Sequence, residues 1–321
     1  MRVLVTGVAG FIGSSVARAE LERGKDVVGI DCFTDYYPRP IKEHNLKPLR
    51  SQPRFRFLEE NLLDADFGQL LDGVSVIYHQ AAQAGVRASW GRNFEVYTRN
   101  NVEATQRLLE ACKGCQLRFV YASSSSVYGE TQQLPMSEDH PTAPVSPYGV
   151  TKLAAEHLAR LYWINFQVPT VSLRYFTVYG PGQRPDMAFH RLIKAMLRGE
   201  EFVVYGDGDQ TRDFTFISDA VAANLAAAER GQAGGIYNIG GGSRVTLNEV
   251  IALLEKIIGR RARLRHGEPQ KGDVRHTYAD TSRARQDFGY VPQVGLEEGL
   301  RAQAQWIESV VLPLETARDI R

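Results

Sequence analysis

Cysteine is scarce in this chain, with three residues in 321. That is too few for the disulfide framework that staples small secreted folds, and it fits a reducing compartment. An excess of one charge is also missing. Lys plus Arg total 38 against 37 for Asp plus Glu, so nothing marks a nucleic-acid surface. No apolar run is long enough to span a bilayer, and the opening MRVLVTG is too short and glycine-rich to read as a signal peptide. The seven histidines show no metal-ligand spacing, and no metal is expected. Cys112 and Cys115 form a C-x-x-C, but they flank Lys113-Gly114 at the end of a helical pattern with no second Cys/His pair. A helix end and a turn are expected there. What is left is an ordinary globular composition, 43% hydrophobic and 23% charged, in a chain long enough for one large domain or two modest ones. A soluble cytoplasmic protein with no nucleic-acid or membrane partner is expected.

The first thirty residues are more telling. Residues 2–7, RVLVTG, are a short apolar run ending in glycine, the pattern of a buried parallel strand. Gly7-Val8-Ala9-Gly10-Phe11-Ile12-Gly13 comes next, then a helical pattern, then DVVGID, a second apolar run ending on Asp31. Glycines in such a turn let backbone approach a pyrophosphate, and the helix N-terminus presents unpaired N–H groups to it. Asp31 suits a ribose diol and repels a 2′-phosphate, which favours NAD over NADP. Arg39 and Lys42, expected in the loop after Asp31, soften that preference.

Further strands are expected within 54–64 and 74–82, at LRFVYASSSS, and at PTVSLRYF, alternating with helices over 93–112 and 148–166. This alternation predicts an α/β fold, a Rossmann-type doubly wound parallel sheet. From about Thr177 the pattern breaks up, which marks a smaller α/β substrate-binding domain. The expected division is residues 1–176, with a return segment near 213–240, for the dinucleotide. Residues 177–212 and 241–321 form the rest.

Two segments carry candidate chemistry. Tyr148 and Lys152 are four apart at the start of a helix, hence on one face. A tyrosine ordinarily titrates near pKa ~10; a nearby ammonium and an oxidised nicotinamide both favour its phenolate and make it a general base. The run ASSSSVYG (122–129) stands after a predicted strand. A serine run is usually a linker, but at a parallel strand's C-terminal end it faces the place where ligands of such sheets gather.

The G-x-x-G-x-x-G turn, the Tyr148/Lys152 pair and Ser124 together resemble the extended short-chain dehydrogenase/reductase family, the NAD-dependent sugar epimerases and dehydratases. The likeness runs to DFGYVPQVGLEEGL (287–300). It implies that Ser124 positions the reacting hydroxyl, Tyr148 takes its proton, and Lys152 holds the nicotinamide ribose. It further implies that Gly7, Gly10, Phe11, Ile12, Gly13, Asp31, Lys42, Asn61, Leu62 and Ala81 contact NAD, with Asn61 standing where relatives usually carry Asp.

Members of that family share hydride removal and differ in the chemistry after it. Dehydratases carry an Asp-Glu pair beside the catalytic Ser/Thr, and UDP-glucuronate decarboxylases a Glu before Val-Tyr-Gly; this chain has Ser125 and Ser126. Epimerisation is what remains. Thr177 in RYFTVYGP, Arg184 in GQRPDMAFH, and the segments 31–46 and 84–89 resemble the UDP-glucuronate 4-epimerases. Ser125, Ser126, Thr177 and Arg184 would serve a sugar carboxylate, with Arg87 a further carboxylate or phosphate candidate. Val203 and Tyr205 match the uracil-flanking segment, Arg212 and Arg275 diphosphate contacts, and Asp273 a ribose contact. A UDP-glucose/UDP-galactose or N-acetylhexosamine 4-epimerase is the alternative; decarboxylase, dehydratase and non-catalytic NAD-sensing readings are disfavoured. The wide apolar faces of the two long helices predict a homodimer through a four-helix bundle, as in related enzymes.

Overall fold

The computed structural model describes residues 1–131 and 133–319. Its strands are β1 (Arg2–Thr6), β2 (Asp26–Asp31), β3 (Phe55–Glu59), β4 (Val74–His79), β5 (Arg118–Ser124), β6 (Thr170–Tyr175), β7 (Thr177–Tyr179), β8 (Glu201–Tyr205), β9 (Thr211–Phe216), β10 (Gly235–Ile239), β11 (Arg244–Thr246) and β12 (Arg263–Gly267). Seven form one sheet in the order β10-β6-β5-β4-β1-β2-β3, with every pair parallel. Alternation along β1 explains why both faces are covered. Val3 and Val5 point to a core shared with Val16, Ala17 and Ala223. Leu4 points to the opposite core with Leu108, Phe119, Ala155 and Ala159. A strand buried on both sides must be apolar throughout. Truncating Leu4 to Ala would cost about 2–5 kcal/mol.

The order reverses between β1 and β4, so their C-terminal ends diverge there and leave the crevice where ligands bind in such sheets. β10 returns beside β6, within the expected 213–240 segment. A third core, built from Phe189, Leu192, Ile193, Phe202, Val204, Leu254 and Leu300, lies in the C-terminal half. There β11-β9-β7 and β12-β8 form two small sheets.

Local chemistry sets the helix that carries Tyr148. Ser146 caps it, its Oγ accepting from Gly149 N at 3.1 Å, and Pro147 occupies a first-turn position that needs no N–H. The helix runs Pro147–Phe166 and ends at Gln167 with φ +57°. Its partner runs from Phe94 to Ala111, with a π-helical stretch at Thr98–Glu103. Within that stretch Asn101 accepts from Gln83 N at 2.7 Å and donates to Gln83 O at 3.0 Å and Thr151 Oγ1 at 2.9 Å. The π-helical stretch thus anchors the loop after β4 to the Tyr148 helix. These two helices leave Phe94, Val96, Val150, Leu161 and Ile164 exposed. No helix among the described residues is long and apolar enough to cross a membrane.

One local expectation fails. Arg39 and Lys42 are not in a loop but in the first turn of an Arg39–Arg50 helix. Pro40 reads as a breaker, yet in a helix's first turn its missing N–H costs nothing.

Candidate active site

A deep cleft opens at the C-terminal ends of β1, β2, β4 and β5. Every residue matched to the cofactor lines it: Gly7, Gly10, Phe11, Ile12 and Gly13 from the glycine turn, Asp31 after β2, Lys42 from the next helix, Asn61 and Leu62 after β3, Ala81 after β4, and Tyr148 with Lys152. The backbone shapes the floor. Gly7 sits at φ +66°, where a side chain is strained. At Gly13 an added Cβ would come within 2.2 Å of the Gly7 carbonyl oxygen, so only glycine lets helix and turn pack this closely. Asp31 accepts from Ala9 N at 3.0 Å and Phe33 N at 2.9 Å. Burial raises its pKa while those N–H groups oppose the rise. Asn61 Oδ1 accepts from Leu63 N at 3.0 Å, which fixes the side chain at the cleft wall. Lys42 Nζ donates to the Thr34 carbonyl, whereas Arg39 turns away to Glu43 and Glu59. Of these two cations, Lys42 is therefore the one that stays near Asp31. Asp31 ends β2 and Ser124 ends β5, three strand spacings apart, or about 14 Å. A dinucleotide laid across the strand ends spans that distance, so these residues fit NAD.

Beneath the floor, His79 is fully buried between Thr6 Oγ1 at 2.8 Å and Thr105 Oγ1 at 2.9 Å. Burial pushes it down to about 3. Thr6 Oγ1 in turn accepts from Ala81 N at 3.1 Å, which fixes the cleft wall.

At the far end Ser124 closes β5, and its Oγ accepts from Ser126 N at 3.2 Å. Ser125, Ser126 and Val127 continue as one 3₁₀ turn. The serine run is therefore a strand end and tight turn, not a linker. A Cβ at Gly149 would meet Ser126 O at 2.6 Å, so glycine seats the Tyr148 helix directly on this turn. Burial raises the Tyr148 phenol, and the Ser124 hydroxyl and the Arg184 guanidinium pull against that rise. This differs from the expectation of a lowered phenol. The reason is the burial of Tyr148 itself; Lys152 is buried as well, with Nζ 4.6 Å over the Tyr121 ring, and is pushed down to about 7. Among the protein's own groups, desolvation outweighs charge at Tyr148.

The substrate residues lie in separate clusters. Arg184 lines the cleft, its Nε and Nη2 donating to Asp186 at 3.0 and 3.1 Å. Asp186 also accepts from Tyr36 OH at 3.0 Å. Thr177, at the start of β7, and Ser124, Ser125 and Ser126 stand outside the cleft lining, which Ser123 joins and Tyr148 carries on to Ser124 by a side-chain hydrogen bond. Arg87 spans the two halves, donating to Asp273 at 2.6 Å and lying 4.4 Å over the Tyr205 ring. Arg212 donates to the Arg275 carbonyl at 3.1 Å, and Arg275 pairs with Asp207 at 2.8 Å. Val203 and Tyr205 occupy β8 against β12.

The sequence does not point to some polar groups of this region: Tyr36, Tyr37, Asp186, Glu130, Ser123 and the buried Glu156–Arg174 pair. The DYY run around Tyr36 carries part of the family resemblance, but nothing local marks these side chains as partners of Arg184. Among the described residues there is no cluster of three metal-ligating side chains. Cys112 and Cys115 are free thiols at a helix end, as expected.

Comparison with known proteins fits this geometry. The profile of the NAD dependent epimerase/dehydratase family matches residues 3–240. An uncharacterized UDP-glucose epimerase of Bacillus subtilis, YtcB, is 47% identical over 97% of this chain and 99% of its own. A UDP-glucuronate 4-epimerase of Thermodesulfobacterium geofontis is 38% identical over 94% of this chain and 95% of its own. The crystal structure of a UDP-glucuronic acid 4-epimerase from Bacillus cereus, in complex with UDP-glucuronic acid and NAD, superposes with a TM-score of 0.94. It is 46% identical and covers 97% of this chain and 100% of that one. With the glycine turn, the parallel sheet and the Tyr148–Lys152 helix all in place, this chain belongs to the NAD-dependent epimerase/dehydratase family.

Proposed function

We propose that this protein epimerises UDP-glucuronate to UDP-galacturonate at C4, with NAD as its bound cofactor. One observation carries the reading. Ser124 and Tyr148 are brought together at the end of a cleft shaped for a dinucleotide, and the next two residues, Ser125 and Ser126, carry no carboxylate for elimination or decarboxylation. Residues 1–176 and the 213–240 return hold the cofactor in this reading, and 177–212 with 241–321 hold the nucleotide sugar.

When bound, the dinucleotide supplies a reversible hydride acceptor for the sugar's C4. The protein's own work is proton handling and positioning. Tyr148 accepts the C4 hydroxyl proton and returns it, Ser124 orients that hydroxyl, and Lys152, when protonated, favours the phenolate against the burial that raises it. Arg212 and Arg275 meet the diphosphate, where guanidinium forks suit phosphate oxygens. Val203 and Tyr205 flank the base.

Oxidation at C4 of a glucuronate creates a β-keto acid, which loses CO₂ once the carboxylate bond aligns with the carbonyl π system. Ser125, Ser126, Thr177 and Arg184 hold the carboxylate out of that alignment, each hydrogen bond to the charged group worth about 1.5–3 kcal/mol. The exposed faces of 93–112 and 148–166 pack against a second copy of the chain as a four-helix bundle. Three free thiols suit a reducing cytoplasm.

Incubation with UDP-glucuronate and, separately, UDP-glucose, with products and CO₂ resolved by NMR, tests the reading. UDP-galacturonate without CO₂, and little turnover of UDP-glucose, is expected. Turnover of UDP-glucose alone would remove the carboxylate site and keep the catalytic one. Ser125→Ala should release extra CO₂ during turnover.

A further inference from the structure

We propose that Glu156, locked to Arg174, is a positioning residue of the active site, binding the serine strand end to the catalytic helix and setting a negative charge beneath the Lys152 ammonium. The inference rests on the catalytic reading of Tyr148 and Lys152. Glu156 is 1% exposed and stands one helical turn after Lys152. It accepts from Ser123 Oγ at 2.6 Å, from Arg174 Nε at 3.0 Å and from Arg174 Nη2 at 2.6 Å. Ser123 immediately precedes Ser124 and lines the cleft with Lys152. One carboxylate thus joins β5, β6 and the catalytic helix, one residue along the strand from Ser124 and one turn along the helix from Lys152. Arg174 is itself braced by the Tyr128 ring, 4.7 Å from its guanidinium carbon.

The charge count gives the carboxylate its second task. Two cations, Lys152 and Arg174, share one anion in a buried region. Burial lowers Lys152 and Glu156 is the group that raises it. Tyr148 lies one turn before Lys152, the Tyr121 ring faces its Nζ, and His79 below is neutral. Among the described residues no other carboxylate acts on Lys152. Removing the charge from Glu156 leaves Arg174 unopposed and makes the Lys152 ammonium harder to keep.

The test is kcat against pH for the NAD-loaded enzyme and UDP-glucuronate, with folding checked by thermal melting. Glu156→Gln should move the alkaline limb to lower pH by about one unit. Glu156→Asp keeps the charge and should keep the limb, with a lower kcat because the shorter side chain loosens its hold on Ser123. Arg174→Met should move the limb upward, opposite to Glu156→Gln, and either variant decides the matter if the other does not fold. An unmoved limb in Glu156→Gln, or identical profiles for Gln and Asp, would overturn the proposal. Tyr148→Phe separates the two readings: wild-type turnover in that variant refutes the catalytic assignment itself and leaves the limb assignment without basis.

Discussion

The cofactor side and the substrate side of the cleft are built on different principles. On the cofactor side the shape comes from backbone: glycines at Gly7 and Gly13, N–H groups holding Asp31, and a floor pinned by Thr6 and His79. On the substrate side three of the expected arginines are already paired with carboxylates, Arg184 with Asp186, Arg87 with Asp273 and Arg275 with Asp207. The first side is ready for its ligand, since nothing there must break. The second must exchange partners when a diphosphate or a carboxylate arrives. Affinity there is a difference between two sets of ion pairs, and exposed pairs contribute little, about 0–1 kcal/mol each. Specificity then depends on which pairs open.

The largest effect should come from breaking the rigid side. Gly13→Ala places a methyl against the Gly7 carbonyl, and the turn must shift to admit it. NAD affinity, measured by calorimetry, should fall at least about tenfold, a loss of about 1.4 kcal/mol; unchanged affinity would show the turn to be compliant. Substituting on the exchangeable side should do less. Asp186→Asn releases Arg184 from its internal partner, so KM for UDP-glucuronate should fall a few-fold while NAD affinity holds. A rise in KM would mean that Asp186 places Arg184 rather than competes for it.

The floor offers a separate test, read in stability rather than in ligand affinity. His79 is neutral in the folded protein down to about pH 3, while in the unfolded chain it takes a proton near 6.5. The unfolded state therefore binds more protons between those values, and stability from this group falls as pH falls, by about 1.4 kcal/mol per unit. Denaturant titrations from pH 7 to 4 should show this slope in the wild type and lack it in His79→Asn. Parallel slopes would contradict the assignment.

Much of the cofactor side is legible in the sequence because its information is local. The glycine turn, the acid ending the second strand and the Tyr148–Lys152 spacing each fall within a few residues, and their geometry comes from backbone rules that hold in any fold of this kind. The family and the parallel sheet rest on the same signals. Arg39 and Lys42 read as loop residues, whereas they open a helix whose first turn holds Pro40.

What the sequence alone determined, then, is the fold class, the dinucleotide turn and the tyrosine–lysine helix, all set by short-range pattern and backbone sterics. Tertiary structure decided which of many similar charges meet. Tyr36 reaches Asp186 across 150 positions, and Glu156 finds Ser123 and Arg174 across 33 and 18. No local rule selects among 75 charged side chains, 38 basic and 37 acidic. Strand order does, because β5 and β6 must lie side by side before one buried carboxylate can serve both.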